Sequence, residues 1–386
     1  MPITSLKPVM DYAKKMGIAH GAFNVNMVSH AKAVIDAHTM MNSCAIVQGA
    51  DLANAFMGGK EDFMKGTIED KKIGTKRIGS AVRAMAEETH IPVVMHLDHG
   101  KNFESCKAAI DGGYSSVMID GSHLPFEENM ELTREVVKYA HPLGISVEAE
   151  LGVLAGVEDD VFSEHSTYTN PMSVCEFIKN TGADALAISY GTKHGAVKGD
   201  NVKLRSEIVI ASLENLKHEN LDACIVSHGS SLVPGYIVDE INTLGGKING
   251  SGGVPIEELR RVIPAGISKI NMDTDLRLAI TRNLRKWFIT KPEMQKANGL
   301  CDVWNLMQAK PDQFDPRYYL VPIMHPLVQG QKIEEFWYDE FIKLCTYGIQ
   351  EIVVNATSQF GSIGDAGLIE YKSLEQLADY YKKKGI

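Results

Sequence analysis

The sequence contains no apolar stretch that approaches the roughly 20 residues needed to span a bilayer. Its N-terminus, MPITSLKPVM, lacks the charged and then apolar layout of a signal peptide. The six cysteines are scattered singly without CxxC spacing, which suits reduced, buried thiols better than a disulfide framework or a thiolate zinc site. We therefore expect a cytoplasmic protein.

Basic residues are fewer than acidic ones, with 39 Lys and Arg against 49 Asp and Glu and a net charge of -10. Phosphate-backbone contact requires a basic stripe, and the sequence has none, so we expect no nucleic-acid partner. Internal repeats and low-complexity segments are also missing. The remaining composition, 44% hydrophobic and 23% charged, is that of an ordinary soluble globular protein.

Short runs rich in Val, Ile and Ala alternate with stretches of helical periodicity, which is typical of βαβ units in a parallel sheet. The predicted strands are GAFNV (21–25), CAIVQ (44–48), IPVVMHL (91–97), SSVMID (115–120), ISVEAEL (145–151), ADALAISY (183–190), DACIVSH (222–228) and ISKINM (267–272). Eight such strands favour a closed (β/α)8 TIM barrel of the α/β class. An open parallel sheet of similar content is the alternative.

The periodicity weakens after about residue 290, where proline, aromatic and charged residues mix. We predict a barrel catalytic domain over residues 1–290. Residues 291–386 are predicted to form a C-terminal extension and terminal helix that pack on the barrel within the same domain. The part over 291–345, which includes Arg317, is expected at a subunit contact of a homodimer or homotetramer.

Polar residues stand at the ends of the predicted strands, where barrels of this kind carry their catalytic groups. They include Asp98, His99, Asp120, Glu150, His194, His228, Asn271, Asp273 and Thr274. His99, His194 and His228 each precede a glycine, and three neutral imidazoles that leave a fourth position open form a standard catalytic zinc shell. Cobalt, iron or manganese could occupy a similar site.

Glycine-rich loops occur at the same predicted face, in HGAVKG (194–199), HGSS (228–231) and NGSGG (249–253). Barrels bind phosphate on the backbone N–H groups of such loops, assisted by a lysine or an arginine. Any one of these loops is adequately explained as a tight turn. Because Lys198 and Arg277 accompany them in an otherwise acidic protein, we expect a phosphorylated substrate.

Two long segments, VVMHLDHG (93–100) and VEAELGVLAGVEDD (147–160), resemble the signatures of class II, metal-dependent fructose-bisphosphate aldolases. The similarity continues in the family's order through SVMIDGSH (116–123), GTKHGAVKG (191–199), SHGSSLVP (227–234) and KINMDTDLRLA (269–279). FDPRYYLVP (314–322) is similar to a segment of the longer members, whose C-terminal extension helps to build the oligomer. The resemblance implies reversible cleavage of fructose 1,6-bisphosphate to dihydroxyacetone phosphate and glyceraldehyde 3-phosphate.

The resemblance also implies a role for individual residues. The implied ligands of the catalytic metal are His99, His194 and His228. Asp120 and Glu150 match positions that bind a second or displaced metal in some members. Asp98 would exchange a proton with the substrate C4 hydroxyl, and Glu158, on a mobile loop, would exchange one with the dihydroxyacetone phosphate carbon. The residues implied around the substrate, its phosphates and a monovalent cation (Na⁺ or K⁺) are Gly195, Lys198, Gly229, Ser231, Asn271, Asp273, Thr274 and Arg277.

Three positions depart from the family pattern. Ala155 stands where a glycine is usual, and Lys193 replaces a small residue before a metal-binding histidine. IVQGADLA (46–53) lacks the serine that touches phosphate in many members, and Ala50 or Val47 falls there, depending on the alignment. These departures leave the same chemistry on tagatose or sedoheptulose bisphosphate as an alternative. A second alternative, from a different class, is a zinc hydrolase on a TIM barrel, which would also explain the histidines.

Overall fold

The computed structural model describes residues 3–154, 156–158, 161–163, 167–195, 198, 202–250 and 252–385, with the backbone alone for 156–158 and 161–163. Its strands are β1 (His20–Asn24), β2 (Ala45–Ala50), β3 (Val93–Gly100), β4 (Ser116–Ile119), β5 (Ser146–Leu151), β6 (Gly156–Glu158), β7 (Val161–Ser163), β8 (Ala185–Ile188), β9 (Cys224–Ser227) and β10 (Ile267–Met272). All eight predicted strands are present, and their ends shift by at most three residues.

Parallel hydrogen bonding joins eight of these strands into a closed barrel in the order β1, β10, β9, β8, β5, β4, β3, β2, with β2 returning to β1. The strands β6 and β7 form a separate antiparallel pair. The predicted TIM barrel is thus confirmed, and the open-sheet alternative is wrong because β1 pairs with both β2 and β10.

Within the described residues the α-helices are α1 (Leu6–Met16), α2 (Val28–Met41), α3 (Asp51–Met57), α4 (Ile68–Glu88), α5 (Phe103–Asp111), α6 (Phe126–Ala140), α7 (Pro171–Thr181), α8 (Ser206–His218), α9 (Gly235–Thr243), α10 (Ile256–Val262), α11 (Thr274–Thr290), α12 (Leu300–Ala309), α13 (Pro316–Tyr319), α14 (Met324–Val328), α15 (Tyr338–Phe360) and α16 (Leu374–Lys384). Short 3-10 helices span Phe63–Lys65, His141–Leu143, Pro292–Lys296 and Val321–Ile323. None of the described helices has the length and apolar character required to cross a membrane.

Side-chain caps fix where several of these helices begin. Thr67 and Asp70 form a capping box at the start of α4, in which each side chain accepts a hydrogen bond from the other residue's backbone N–H. The Asn102 side chain caps α5 by accepting a hydrogen bond from the Ser105 backbone N–H. The Asn170 side chain likewise accepts from the Met172 backbone N–H at the start of α7, whose first residue is a proline. These local signals place each helix directly after its strand or loop.

Eight helices surround the barrel, namely α2, α4, α5, α6, α7, α8, α10 and α15, and each packs against the next around the ring. The helix α15 closes this ring between α10 and α2 and also contacts β1 and α11. Because α15 lies within residues 291–386, that segment supplies part of the barrel wall. The shorter α12 and α13 of the same segment pack beside α11.

The amino-terminal end of the barrel interior is filled with apolar side chains. The helix α1 contacts β1, β9 and β10 at this end. One buried cluster joins its apolar residues to residues of the barrel strands: Leu6, Val9, Met10, Ala22, Cys44, Ile46, Val94, Ala185, Ala187, Cys224 and Val226. The polar groups of the interior therefore collect toward the carboxyl ends of the strands.

Candidate active site

Three imidazoles converge at the carboxyl end of the barrel. His99 lies in the last part of β3, His194 follows β8, and His228 directly follows β9. The three side chains are buried, and one ring nitrogen of each lies within 4.8 Å of the others. Nε2 of His99 and Nδ1 of His228 are 3.0 Å apart. The structure thus brings together the three histidines that the sequence predicts as metal ligands.

Carboxylates are hydrogen-bonded to two of these rings, those of His99 and His228. Nδ1 of His99 is 2.9 Å from Oδ2 of Asp120, and Nε2 of His228 is 2.8 Å from Oε1 of Glu148. Burial by itself would raise the pKa of Asp120, but the interactions with His99 and Ser122 outweigh burial and lower it well below its usual range. Because an ionised carboxylate only accepts hydrogen bonds, His99 carries its proton on Nδ1 when its ring is neutral.

The pKa of Glu148 is also lowered, because the Lys269 charge and the hydrogen bond from His228 outweigh the effect of burial. His228 therefore donates from Nε2. The two remaining nitrogens, Nε2 of His99 and Nδ1 of His228, direct lone pairs at one another, which repel unless a proton or a cation lies between them. With His194 alongside, this donor set fits a divalent metal of the zinc type.

A second group with metal-ligand spacing shares His99 with Asp120 and Glu150. Oε2 of Glu150 lies 3.8 Å from Nδ1 of His99 and 3.9 Å from Nδ1 of His228. All of these side chains are buried. The structure therefore also brings together the two carboxylates that the sequence predicts at a second or displaced metal position.

A backbone irregularity in β3 lets two consecutive residues face the site. Side chains of neighbouring strand residues normally point to opposite faces. Here the register with β4 shifts between Leu97 and Gly100, and His99 has a φ of 47°, in the left-handed region. A Cβ at Gly100 would lie 2.6 Å from the carbonyl oxygen of Met118. The HG pair at 99–100 is thus required by the close approach of β4.

The Asp98 carboxylate is fixed by two amides. Asn24 donates to Oδ2 and Asn271 donates to Oδ1, both at 2.8 Å. Asp98 pairs across the sheet with Ala50, which ends β2 two residues after Gln48, whose side chain contacts Asn24 inside the barrel, so Ala50 shares that face and Val47 points to the other. Of the two positions where the expected serine is missing, Ala50 is therefore the one at the site face.

All eight predicted substrate-binding residues line one cavity of about 80 Å³. They are Gly195, Lys198, Gly229, Ser231, Asn271, Asp273, Thr274 and Arg277, joined by Ser230 and Phe314. The helix α11 begins at Thr274 in the cavity wall, and a helix N-terminus carries partial positive charge. A lysine, an arginine and a helix N-terminus together make this cavity suitable for an anion.

Arg277 belongs to an alternating chain of charges at the cavity edge. Its guanidinium donates to Oδ1 of Asp273 at 2.7 Å and to Oδ2 of Asp315 at 3.0 Å. Asp315 also accepts from Arg317, which stacks on the Phe63 ring with 4.2 Å between guanidinium carbon and ring centroid. Arg317 is 1% exposed, so its own subunit encloses it and it presents no surface to a second copy.

The loop after β5 is described only in part. Its β6 and β7 backbones pair, but the side chain of Glu158 and all of Ala155 lie outside the described residues. Lys193 is exposed, and its carbonyl oxygen accepts a hydrogen bond from the Lys198 ammonium. The predicted role of Glu158 therefore stays a prediction.

Three residues without a predicted role, Glu148, Lys269 and Asn24, contact predicted site residues. Residues two apart in a strand point to the same face. Glu148 precedes Glu150 by two residues and Lys269 precedes Asn271 by two, so this alternation could have indicated that both face the site. Asn24 ends β1, so it satisfies the same strand-end criterion as the predicted residues.

A parallel barrel with converging imidazoles and an anion cavity at its carboxyl end belongs to the metal-binding enzymes of the TIM-barrel class. Residues 4–364 match the family described as fructose-bisphosphate aldolase class-II. The fructose-bisphosphate aldolase of Giardia intestinalis is 36% identical over 385 residues, which cover 99% of this chain and 100% of the relative. That of Thermus caldophilus is 33% identical, covering 95% and 100%.

The chain therefore belongs to the class II fructose-bisphosphate aldolase family, whose members are metal-dependent carbon–carbon lyases acting on sugar phosphates. Solved structures support the fold: the YdjI aldolase from Escherichia coli K12 has a TM-score of 0.64 at 24% identity, covering 94% of this chain and 99% of that one. These comparisons support an aldolase rather than a zinc hydrolase.

We expect Gly100→Ala to disturb the metal ligand beside it. The added methyl would collide with the Met118 carbonyl, so the variant should lose about 1–3 kcal/mol of unfolding free energy, as overpacked sites do. Its zinc affinity, measured by chelator competition, should fall because His99 moves. Gly367→Ala is the matched control, since a Cβ there meets nothing within 4 Å. Equal zinc affinity in both variants would contradict this account of the HG pair.

Asp315 should contribute to stability in a pH-dependent way. Burial raises its pKa, but Arg277 and Arg317 outweigh burial and lower the pKa to about 2. A folded pKa below the unfolded value of about 3.9 gives stability that is present above that value and lost as pH falls toward 2. Asp315→Asn should therefore be about 2 kcal/mol less stable than wild type at pH 7.

The difference between Asp315→Asn and wild type should shrink between pH 4 and pH 2, as measured by urea unfolding across that range. Asp312→Asn is the control, because Asp312 is an exposed carboxylate three residues away. A stability difference for Asp315→Asn that stays constant across this pH range would show that the carboxylate is not held ionised by the two arginines.

Proposed function

We propose that this protein catalyses the reversible aldol cleavage of fructose 1,6-bisphosphate to dihydroxyacetone phosphate and glyceraldehyde 3-phosphate. The observation that carries the proposal is the placement of the three imidazoles and Asp98 directly beside the anion cavity, with Asn271 contacting both groups. Its relatives of 31–36% identity named fructose-bisphosphate aldolase support this choice of substrate.

Zn²⁺ is the proposed ion, held by His99, His194 and His228, because three imidazoles with an open position suit it. A divalent cation there supplies a Lewis acid for the negative charge that develops on the substrate oxygen when the bond breaks. Asp120 and Glu150 would orient His99 or accept the ion in a displaced position. Gly195, Gly229 and Ser231 are proposed to shape a phosphate and monovalent-cation site.

Asp98 is proposed to act on the aldehyde half of the substrate. It takes the proton of the C4 hydroxyl as the C3–C4 bond breaks, and the C4 oxygen becomes the aldehyde carbonyl. The bond's electron pair stays on the dihydroxyacetone phosphate half as an enediolate. The two amides on Asp98 hold the carboxylate in place for this transfer without donating a charge to it.

Glu158 is proposed to complete the other half of the reaction. It gives a proton to the enediolate carbon, which yields dihydroxyacetone phosphate. Lys198, Arg277, Asn271, Asp273 and Thr274 are proposed to hold the phosphates and the dihydroxyacetone portion, since these side chains share one cavity. Fixing both ends of the substrate removes entropy before the reacting carbons are brought together.

The epimer and chain length of the substrate depend on contacts that the family usually makes near β2. Ala50 offers no hydroxyl at the site face, so one contact to phosphate is missing from that strand. Tagatose and sedoheptulose bisphosphates would undergo the same steps and are the alternative substrates. The backbone and cationic groups of the cavity do not depend on Ala50.

A coupled assay of the purified enzyme on the three ketose bisphosphates tests substrate and metal together. Cleavage of fructose 1,6-bisphosphate should have the highest kcat/KM, should be abolished by a chelator and should return when Zn²⁺ is added. Inactivation of the metal-free enzyme by borohydride in the presence of substrate would instead reveal a Schiff-base lysine. A higher kcat/KM for an epimer would keep the mechanism and change the substrate.

Neutralising Glu158 and neutralising Asp98 should each slow a different half of the reaction. Glu158→Gln should slow proton exchange on dihydroxyacetone phosphate by about 10²–10⁴-fold, the usual range for a positioned acid or base, and should leave zinc bound. Asp98→Asn should depress cleavage while leaving that exchange comparatively intact. Deuterium loss measured by NMR reports the exchange. Wild-type exchange in Glu158→Gln would contradict its assignment.

We also propose a homodimer or homotetramer that works in the cytoplasm. Phe336 is 75% exposed within the C-terminal segment, which suits a subunit contact, and five of six thiols are buried and unpaired, which suits a reducing compartment. Phe336→Glu should lower the mass measured by light scattering, whereas Met172→Glu should not, although Met172 on α7 is 67% exposed. A wild-type monomer at micromolar concentration would contradict the assembly.

A further inference from the structure

A buried lysine in the barrel interior has no part in the reaction steps described above. Lys269 lies in β10 with its side chain 0% exposed. Its ammonium is 3.0 Å from Oε2 of Glu148 and 2.7 Å from Oδ1 of Asn271. The Lys269 ammonium therefore contacts Glu148, which is hydrogen-bonded to the predicted metal ligand His228. It also contacts Asn271, which is hydrogen-bonded to the predicted acid/base Asp98.

The contact with Asn271 determines which way its amide faces. An ammonium has three donors and no acceptor, so the atom that Asn271 turns toward Lys269 must be its oxygen. The amide nitrogen then faces Asp98 and donates to it at 2.8 Å. If the amide rotated by half a turn, its oxygen would face the Asp98 carboxylate, and two acceptors would repel.

The second amide on Asp98 is fixed less firmly. Asn24 is oriented by a hydrogen bond from the amide of Gln48. Gln48 can itself rotate, because an amide offers a donor and an acceptor of almost the same shape. Lys269 cannot reverse its role in this way. It is therefore the group that sets the direction of hydrogen bonds on the Asn271 side of Asp98.

The other branch from Lys269 reaches His228. Oε2 of Glu148 accepts from the Lys269 ammonium at 3.0 Å, and Oε1 of Glu148 accepts from Nε2 of His228 at 2.8 Å. His96 stands near the same carboxylate, 3.5 Å away, and burial with the Lys269 charge holds the pKa of His96 well below its usual range. The charge that offsets Glu148 in this layer thus comes from Lys269.

We propose that Lys269 is a positioning residue that fixes the Asn271 amide and, through it, holds Asp98 in the orientation needed to take the substrate proton. The inference rests on the proposed function of Asp98. It goes beyond a charge-balancing role for Lys269, which would require only the contact with Glu148. The two roles differ in whether loss of Lys269 matters once Glu148 has been neutralised.

A comparison of two variants separates these roles. Lys269→Met alone leaves an uncompensated buried carboxylate and would disturb folding. The double variant Lys269→Met/Glu148→Gln removes both charges, and the introduced amide still offers His228 an oxygen. Glu148→Gln alone is the reference, because it keeps the bond from Lys269 to Asn271. Zinc affinity by chelator competition and unfolding by urea should be similar in these two variants.

Relative to Glu148→Gln, the double variant should lose about 10- to 100-fold in kcat for cleavage, the usual effect of removing a supporting partner. Proton exchange on dihydroxyacetone phosphate should change much less, because Asp98 serves the aldehyde half. Equal cleavage rates in the two variants would overturn the proposal. A parallel loss of cleavage, exchange and zinc affinity would also overturn it, since that pattern indicates general disruption of the site.

Neutron diffraction on deuterated crystals tests the same inference without activity. Wild type and Glu148→Gln should show the Asn271 nitrogen toward Asp98, whereas the double variant should show the Asn271 amide displaced from Asp98 or disordered. An unchanged Asn271 amide in the double variant would overturn the positioning role. If wild type has the expected amide orientation but cleaves none of the ketose bisphosphates, the proposed function fails and the structural part of the inference stands.

Discussion

The structure depends on how negative charge is compensated at the carboxyl end of the barrel. Asp98, Asp120, Glu148 and Glu150 are all at most 6% exposed there, and a buried carboxylate is costly unless it is paired and hydrogen-bonded. Lys269 offsets one of these charges, and amides or imidazoles contact the carboxylates. A divalent cation held by the imidazoles would offset two more. Metal binding and folding of this layer should therefore support each other.

Backbone geometry converts this charged layer into a site with separate parts. The irregular end of β3 brings the proposed acid/base Asp98 and the proposed metal ligand His99 to one face, although they are adjacent in the chain. The start of α11 places a helix N-terminus in the wall of the neighbouring cavity. The groups proposed for proton transfer, metal binding and anion binding thus share one end of the barrel, while apolar residues fill the opposite end.

Much of this arrangement was predictable because strand ends in a closed barrel share one face. That rule predicted that the three histidines would lie together and that Asn271, Asp273 and Thr274 would lie beside them, as they do. The other cavity residues were predicted from the glycine-rich loops and the family resemblance. It did not reveal Lys269 or Glu148, because both lie inside a strand, two residues before the strand-end residues Asn271 and Glu150. It also did not place Arg317, whose burial follows from its pairing with Asp315 and its stacking on Phe63.

The central claim is that three imidazoles, supported from behind by carboxylates, form the primary metal site. X-ray absorption of the zinc-loaded protein in solution tests it most directly. The account predicts three histidine nitrogens at about 2.0–2.1 Å from zinc, and the loss of one of them in His194→Ala. A shell with one imidazole and mainly carboxylate oxygens, unchanged by His194→Ala, would place the metal with His99, Asp120 and Glu150 instead and contradict the claim.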